Sequence, residues 1–259
     1  MGKAAVSRKG ASAGTRPEGT ASEADASRKV REMFTKIAPR YDLLNHLLSL
    51  QLDRMWRART VRILRPMLER PNTEVLDLCC GTGDLAFALQ RKTTGMVWGA
   101  DFAHTMVMRA REKDAGEAGA RRRIPFVESD ALQLPFADES FDLVTTAFGF
   151  RNLANYEAGL REIFRVLKAN GMAAILEFTE PKPGWFANLY RWYFQTVLPR
   201  LGGLISGDRA AYSYLPSSVA NFLRPEELTD LMRRNGFEKV EARVWTGGTV
   251  ALHTAAKPS

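Results

Sequence analysis

Gly81-Thr82-Gly83 follows the apolar run Glu74–Cys79 and runs at once into the helix-like stretch Asp84–Arg91. Strand, glycine turn and helix in this order place backbone N–H groups and a helix N-terminus at the carboxyl end of a strand. Glycine suits that place because the chain turns tightly and a ligand must approach the backbone. The string also fits the dinucleotide fingerprint, and Asp101, at the end of the next apolar run, is placed to hold a ribose in either case. The surrounding acids narrow the choice. Asp77 and Asp84 flank the turn, where they would repel a pyrophosphate but favour a sulfonium and an amino group. Glu128-Ser129-Asp130-Ala131 ends a third run, where an acid can accept from an adenine amino group. Gly81, Gly83 and Asp101 therefore point to S-adenosylmethionine as the cofactor, against the plainer alternative of a ligand-free turn.

The elements that must position these residues alternate. Runs at Glu74–Cys79, Met96–Ala100, Ile124–Glu128, Phe141–Thr146 and Met172–Phe178 read as buried strands, with helices predicted over Asp84–Arg91, His104–Lys113 and Tyr156–Leu167. Strands alternating with helices imply a parallel sheet covered on both faces. A helix over Arg224–Asn235, opened by Pro225 and closed by Gly236, precedes Phe237–Trp245 and Thr249–Ala255, a hairpin across Gly247-Gly248. The expected fold is thus α/β, a mostly parallel seven-stranded sheet ending in an antiparallel hairpin, the Rossmann-like class I methyltransferase layout. Upstream, helices are predicted over Val30–Ile37, Tyr41–Leu50 and Leu52–Leu64, the last rich in arginine. Residues 1–27 hold almost no large apolar side chain and read as a disordered basic tail, leaving one domain over 28–259 with a helical lid insertion near 184–223.

The chain has 259 residues, 45% of them hydrophobic, and a formal charge of +8. No apolar run approaches the roughly 18 residues of a membrane-spanning helix. The two cysteines, Cys79 and Cys80, are adjacent, which gives neither a disulfide framework nor a metal spacing, so no metal is expected and a reducing, cytoplasmic setting is the default. The positive charge raises nucleic acid and anionic lipid as partners. No pattern of aromatics interleaved with basic residues supports the first, and nucleic acid is not expected.

Longer signatures carry a resemblance. Tyr41-Asp42-Leu43-Leu44-Asn45 with Leu48-Ser49 and Trp56, then Gly149-Phe150-Arg151-Asn152, Arg165-Val166-Leu167-Lys168, Leu176-Glu177-Phe178-Thr179 and Val250-Ala251-Leu252-His253, together resemble the C-methyltransferases of menaquinone and ubiquinone biosynthesis over about residues 28–257. The chain departs from that pattern at Asp53, where a His is usual, at Ala169-Asn170 in place of Pro-Gly, at Asp130 in place of Asn, and at Ala147 in place of Ser or Thr. Asn170 should be harmless, because Asn tolerates the left-handed turn. The resemblance places cofactor contacts on Thr82, Asp101, Asp130 and Ala131.

It also implies a polyprenylated quinol as substrate, with methylation of demethylmenaquinol to menaquinol favoured by the Cys-Cys-Gly-Thr-Gly-Asp loop, and methylation of a 2-polyprenyl-methoxybenzoquinol as the alternative. A basic RNA-binding or RNA-modifying protein is the alternative from another class. Arg151 and Asn152, at the end of the fourth strand, are the candidates for holding the quinol oxygen. A guanidinium donates but cannot be the base at neutral pH, and its rival role is a structural salt bridge. His46, His104 and His253 are expected to be packed or capping residues. The aromatic stretch Trp185–Leu198 suits an interfacial surface, implying peripheral contact with an anionic membrane, or a lid over the cofactor.

Overall fold

The computed structural model describes residues 14–38, 51–116, 123–181, 183–185, 188, 192–193, 196 and 209–259. Among them the chain runs α1 (Glu23–Ile37), α2 (Leu52–Leu68), β1 (Glu74–Leu78), α3 (Asp84–Gln90), β2 (Met96–Asp101), α4 (His104–Gly116), β3 (Phe126–Glu128), β4 (Phe141–Ala147), a 3-10 turn (Phe150–Asn152), α5 (Tyr156–Val166), β5 (Leu167–Phe178), α6 (Arg209–Asn221), α7 (Pro225–Arg234), β6 (Glu238–Trp245) and β7 (Val250–Ala256). The strands form one sheet in the order β3-β2-β1-β4-β5-β7-β6. Pairings from β3 through β5 are parallel, whereas β7 pairs antiparallel with both β5 and β6.

Alternation along the central strands feeds two cores. In β1, Val75 faces one layer and Leu76 and Leu78 the other, and in β4 Leu143 and Val144 divide in the same way. One layer is closed by Leu160, Ile163 and Val166 of α5 with Leu228, Leu231 and Met232 of α7. The other is closed by Trp56, Leu64 and Leu68 of α2 with Leu85, Phe87 and Leu89 of α3. A sheet buried on both faces explains why its strands read as continuous apolar runs. The strand order reverses at β1, so the loops leaving β1 and β4 diverge and open a crevice at their carboxyl ends.

Three expectations about elements need correction. β3 is shorter than Ile124–Glu128, because Pro125 has no N–H to pair. α2 continues through Pro66 to Leu68, with Met67 and Leu68 buried. Residues 14–27 are no disordered tail: α1 begins at Glu23, capped by the Ser22 hydroxyl accepting from the Asp25 N–H at 3.1 Å, and Thr15 donates its N–H to the Leu153 carbonyl at 2.7 Å. Backbone bonding and capping hold a segment whose apolar content alone could not. The turn Phe150–Asn152 had no counterpart in the sequence reading. Residues 1–13, the expected helix Tyr41–Leu50 and most of the aromatic stretch lie outside the described residues. Asn170 takes φ 60°, the left-handed turn expected of it.

Candidate active site

The crevice is built around the glycine turn. Gly81 and Gly83 take φ of 55° and 89°, and a Cβ at Gly83 would come within 2.9 Å of the Phe126 ring. The turn and the end of β2 are tied together by Asp101. One carboxylate oxygen accepts from the Gly81 N–H and the other from the Ala103 N–H, each at 2.9 Å. Two backbone donors thus fix the carboxylate while each oxygen keeps a further lone pair. Burial raises the Asp101 pKa to about 6, opposed by those backbone hydrogen bonds.

Asp101 shares a cleft with Gly81, Ser129, Asp130, Ala131 and Asn152. Asp130 accepts from the Leu132 N–H at 2.9 Å, so its side chain also shapes the turn after β3. Ser129 is buried and its hydroxyl has no hydrogen-bond partner. Unmet polar atoms of this kind in a cleft are the mark of a place built for a polar ligand. Phe34, Phe102 and Met106 supply apolar wall. Neither Phe34 nor Met106 carries a motif signal. Phe102 could have been found by position, since a side chain directly after the ribose acid lies where a flat ring would stack.

Thr82 faces elsewhere. It accepts from the Lys113 ammonium at 2.9 Å and lines a smaller polar pocket with Arg57, Asp77 and Asp84. Cys79 and Phe148 line both spaces, so the two adjoin. Asp84 is paired with Lys113 at 3.2 Å and with Arg57 at 3.3 Å, so part of the expected negative field is already met. Asp77 is not. It accepts from the Thr145 hydroxyl at 2.9 Å, but its other oxygen is buried without a partner, and burial raises its pKa to about 7. An orphaned carboxylate oxygen beside the glycine turn fits a ligand with a cationic end, as the expected S-adenosylmethionine has. Asp53, the departure noted above, is buried against Arg57 at 2.6 Å.

Arg151 and Asn152 are separated in role by the 3-10 turn. Asn152 lines the cleft, and its side-chain oxygen accepts from the Tyr214 hydroxyl at 3.0 Å. The Arg151 guanidinium instead pairs with Glu177 at 2.8 Å, donates to the Phe148 carbonyl and reaches the Ser218 hydroxyl at 3.3 Å. With side chains 7% and 2% exposed, the pair is buried, and Arg151 is not among the residues lining the cleft. In the structure the buried Glu177 carboxylate engages the guanidinium, the geometry of the rival role, a structural salt bridge.

His104 meets Glu128 at 2.8 Å on the surface, and His253 meets the Pro225 carbonyl at 2.9 Å, with burial lowering its pKa. Burial pushes the thiols of Cys79 and Cys80 well up. His46 lies outside the described residues. Among the described residues, no group of three or more His, Cys, Asp or Glu side chains could hold a metal ion.

Residues 22–257 match the model of the ubiE/COQ5 methyltransferase family. A demethylmenaquinone methyltransferase from Thermus thermophilus is 50% identical over 87% of this chain and 100% of its own length. A ubiquinone/menaquinone biosynthesis C-methyltransferase UbiE from Geobacter sulfurreducens is 43% identical over 88% of each chain. Among solved structures, a SAM-dependent methyltransferase from Thermotoga maritima superposes with a TM-score of 0.61 at 19% identity, covering 88% of this chain and 99% of that one. The [4+2]-cyclase SpnF superposes at 0.64 and 17% identity, covering 90% and 96%. At such identities these two likenesses speak to the fold alone.

Proposed function

Because the chain belongs to the ubiE/COQ5 methyltransferase family, we propose that it methylates a ring carbon of a polyprenylated quinol, converting demethylmenaquinol to menaquinol. It is an S-adenosylmethionine-dependent C-methyltransferase. The observation that carries the site assignment is that Gly81, Asp101, Asp130, Ala131 and Asn152, from four separate loops, line one cleft.

In this reading Asp101 accepts from the ribose hydroxyls, Asp130 and Ala131 border the adenine, and Gly81, Thr82 and Gly83 carry the turn under the amino-acid end, with Asp77 facing its charge. S-adenosylmethionine, when bound, supplies a methyl on a cationic sulfur, a good leaving group for in-line displacement. The chain's own residues do the rest. Asn152 donates from its amide to the quinol oxygen, which favours the phenolate that makes the neighbouring ring carbon nucleophilic. Held by Asp101, Asp130 and the glycine turn, the cofactor would give its methyl to that ring carbon with the sulfur keeping the bonding pair, and the ring proton would pass to solvent. Arg151 acts as a positioning residue, since its pairing with Glu177 fixes the turn that carries Asn152. Phe34, Phe102 and Met106 keep the reacting centre dry, where such donors count for more.

No helix among the described residues is long and apolar enough to cross a membrane. Trp185 and Trp192 are 79% and 57% exposed, which supports peripheral contact with the membrane that holds the prenyl tail. Lipid extracts of a strain lacking this protein test the function. A demethylated menaquinone pool, restored by the wild-type gene, is expected. A normal menaquinone pool alongside a ring-demethylated ubiquinone precursor would move the assignment to the benzoquinol, and unchanged quinones would refute both.

A further inference from the structure

Residues 14–21 precede the stretch matched by the family model, yet Gly14, Thr15 and Arg16 pack on Leu153 and Ala154. Gly14 packs so closely on the Leu153-Ala154 backbone that a Cβ there would stand 2.2 Å from the Ala154 carbonyl carbon. Thr15 donates its N–H to Leu153 at 2.7 Å, and the Arg16 guanidinium donates to the Ala154 carbonyl at 2.6 Å while pairing with Glu23 at 3.2 Å. Leu153 and Ala154 line the cleft beside Asn152.

One contact reaches further. The Thr15 hydroxyl lies 3.0 Å from the Tyr214 hydroxyl, and Tyr214 donates to the Asn152 oxygen at 3.0 Å. A phenol has a single proton. Since Tyr214 gives it to Asn152, the Thr15 hydroxyl must donate to Tyr214. The chain of bonds Thr15 to Tyr214 to Asn152 therefore runs in one direction and ends on the Asn152 side-chain oxygen. With its oxygen held, the amide keeps its N–H2 end for another partner, and Asn152 borders the cleft. Burial raises the Tyr214 pKa, which keeps that proton in place.

We infer that the N-terminal extension completes the active site from outside the family-matched stretch, Thr15 and Tyr214 being positioning residues that orient Asn152 toward the substrate oxygen. This rests on the reading of Asn152 given above. Arg151 is held by other partners. A hydrogen bond to a buried neutral group contributes modestly, so losing one should slow methyl transfer by about three- to tenfold.

The full-length protein is assayed with demethylmenaquinol in detergent, kcat and KM being measured beside the S-adenosylmethionine Kd. Thr15→Val and Tyr214→Phe each lower kcat by about three- to tenfold with the Kd within about twofold of wild type. Thr15→Ser restores kcat, and Thr15→Val adds nothing in the Tyr214→Phe background, because the relay is already cut. Gly14→Leu, which cannot seat on Ala154, behaves as Thr15→Val does. Asn152→Ala separates the two claims. If it loses activity while Thr15→Val keeps wild-type kcat, the relay is overturned and the reading of Asn152 stands. If Asn152→Ala itself keeps wild-type kcat, that reading fails and the relay with it. A fall in melting temperature without a fall in kcat for Thr15→Val would make the extension a mere staple and overturn the inference.

Discussion

Glu177→Gln tests whether Arg151 is a structural cation or faces substrate. One Glu177 oxygen accepts from the Arg151 guanidinium and from the Phe178 N–H, both at 2.8 Å, while the other accepts from the Arg151 N–H at 3.1 Å. Gln keeps the shape but has one acceptor, so whichever way its amide turns, an N–H2 group meets a donor at a buried site. The Arg151 guanidinium, 7% exposed, loses the Glu177 charge. Removing one partner of a buried pair costs about 3–5 kcal/mol. The contacts to the Phe148 carbonyl, the Ser218 hydroxyl and the ring of Phe178, 5.4 Å from the guanidinium, cannot replace a full charge. For a chain of this size each kcal/mol lowers Tm by about 2–4 °C, so a drop of about 6–20 °C is expected by calorimetry. Urea unfolding should show a lower midpoint at an unchanged slope. The S-adenosylmethionine Kd should stay within about threefold, because Glu177 does not line the cleft. Stability within about 1 kcal/mol of wild type, together with abolished turnover, would refute the reasoning and return the guanidinium to the substrate.

Asp101→Ala removes the carboxylate that binds ribose, and the loss of charged hydrogen bonds should weaken S-adenosylmethionine binding by about 1.5–3 kcal/mol in calorimetry; unchanged affinity would sink that assignment. Asp77, with its pKa near 7, must be ionised to meet a cation, so about one protein in ten is competent at pH 6 and about nine in ten at pH 8. Cofactor affinity should rise about tenfold over that range, relative to Asp77→Asn, whose profile lacks this step; parallel profiles would show that Asp77 does not face the charge. Changing Trp185 and Trp192 to Ser should abolish liposome co-sedimentation in 1 M salt, where the Debye length is about 3 Å and lysine attraction is screened; binding lost by salt alone would assign the membrane contact to the +8 charge.

The glycine turn, Asp101, the alternation of strand and helix, and the closing hairpin were legible because each is a local pattern. A glycine between a strand and a helix, or an apolar period of two, is set by backbone sterics and burial within a few residues. The family signatures were legible for the same reason, as strings. The partner of Arg151 was not. Glu177 lies 26 residues away and reaches it only because β5 pairs with β4 and brings their carboxyl ends together. The placement of Thr82 in the adjoining polar pocket was equally hidden, since it depends on where α4 delivers Lys113. Residues 14–27 show the limit most plainly. Their composition argues against burial of apolar surface, and that much is right, but their order comes from backbone hydrogen bonds to Leu153 and Ala154 and from a hydroxyl meeting Tyr214, 199 positions away. Hydrogen bonds between distant segments leave no period or composition in the chain, so only the folded arrangement decides them.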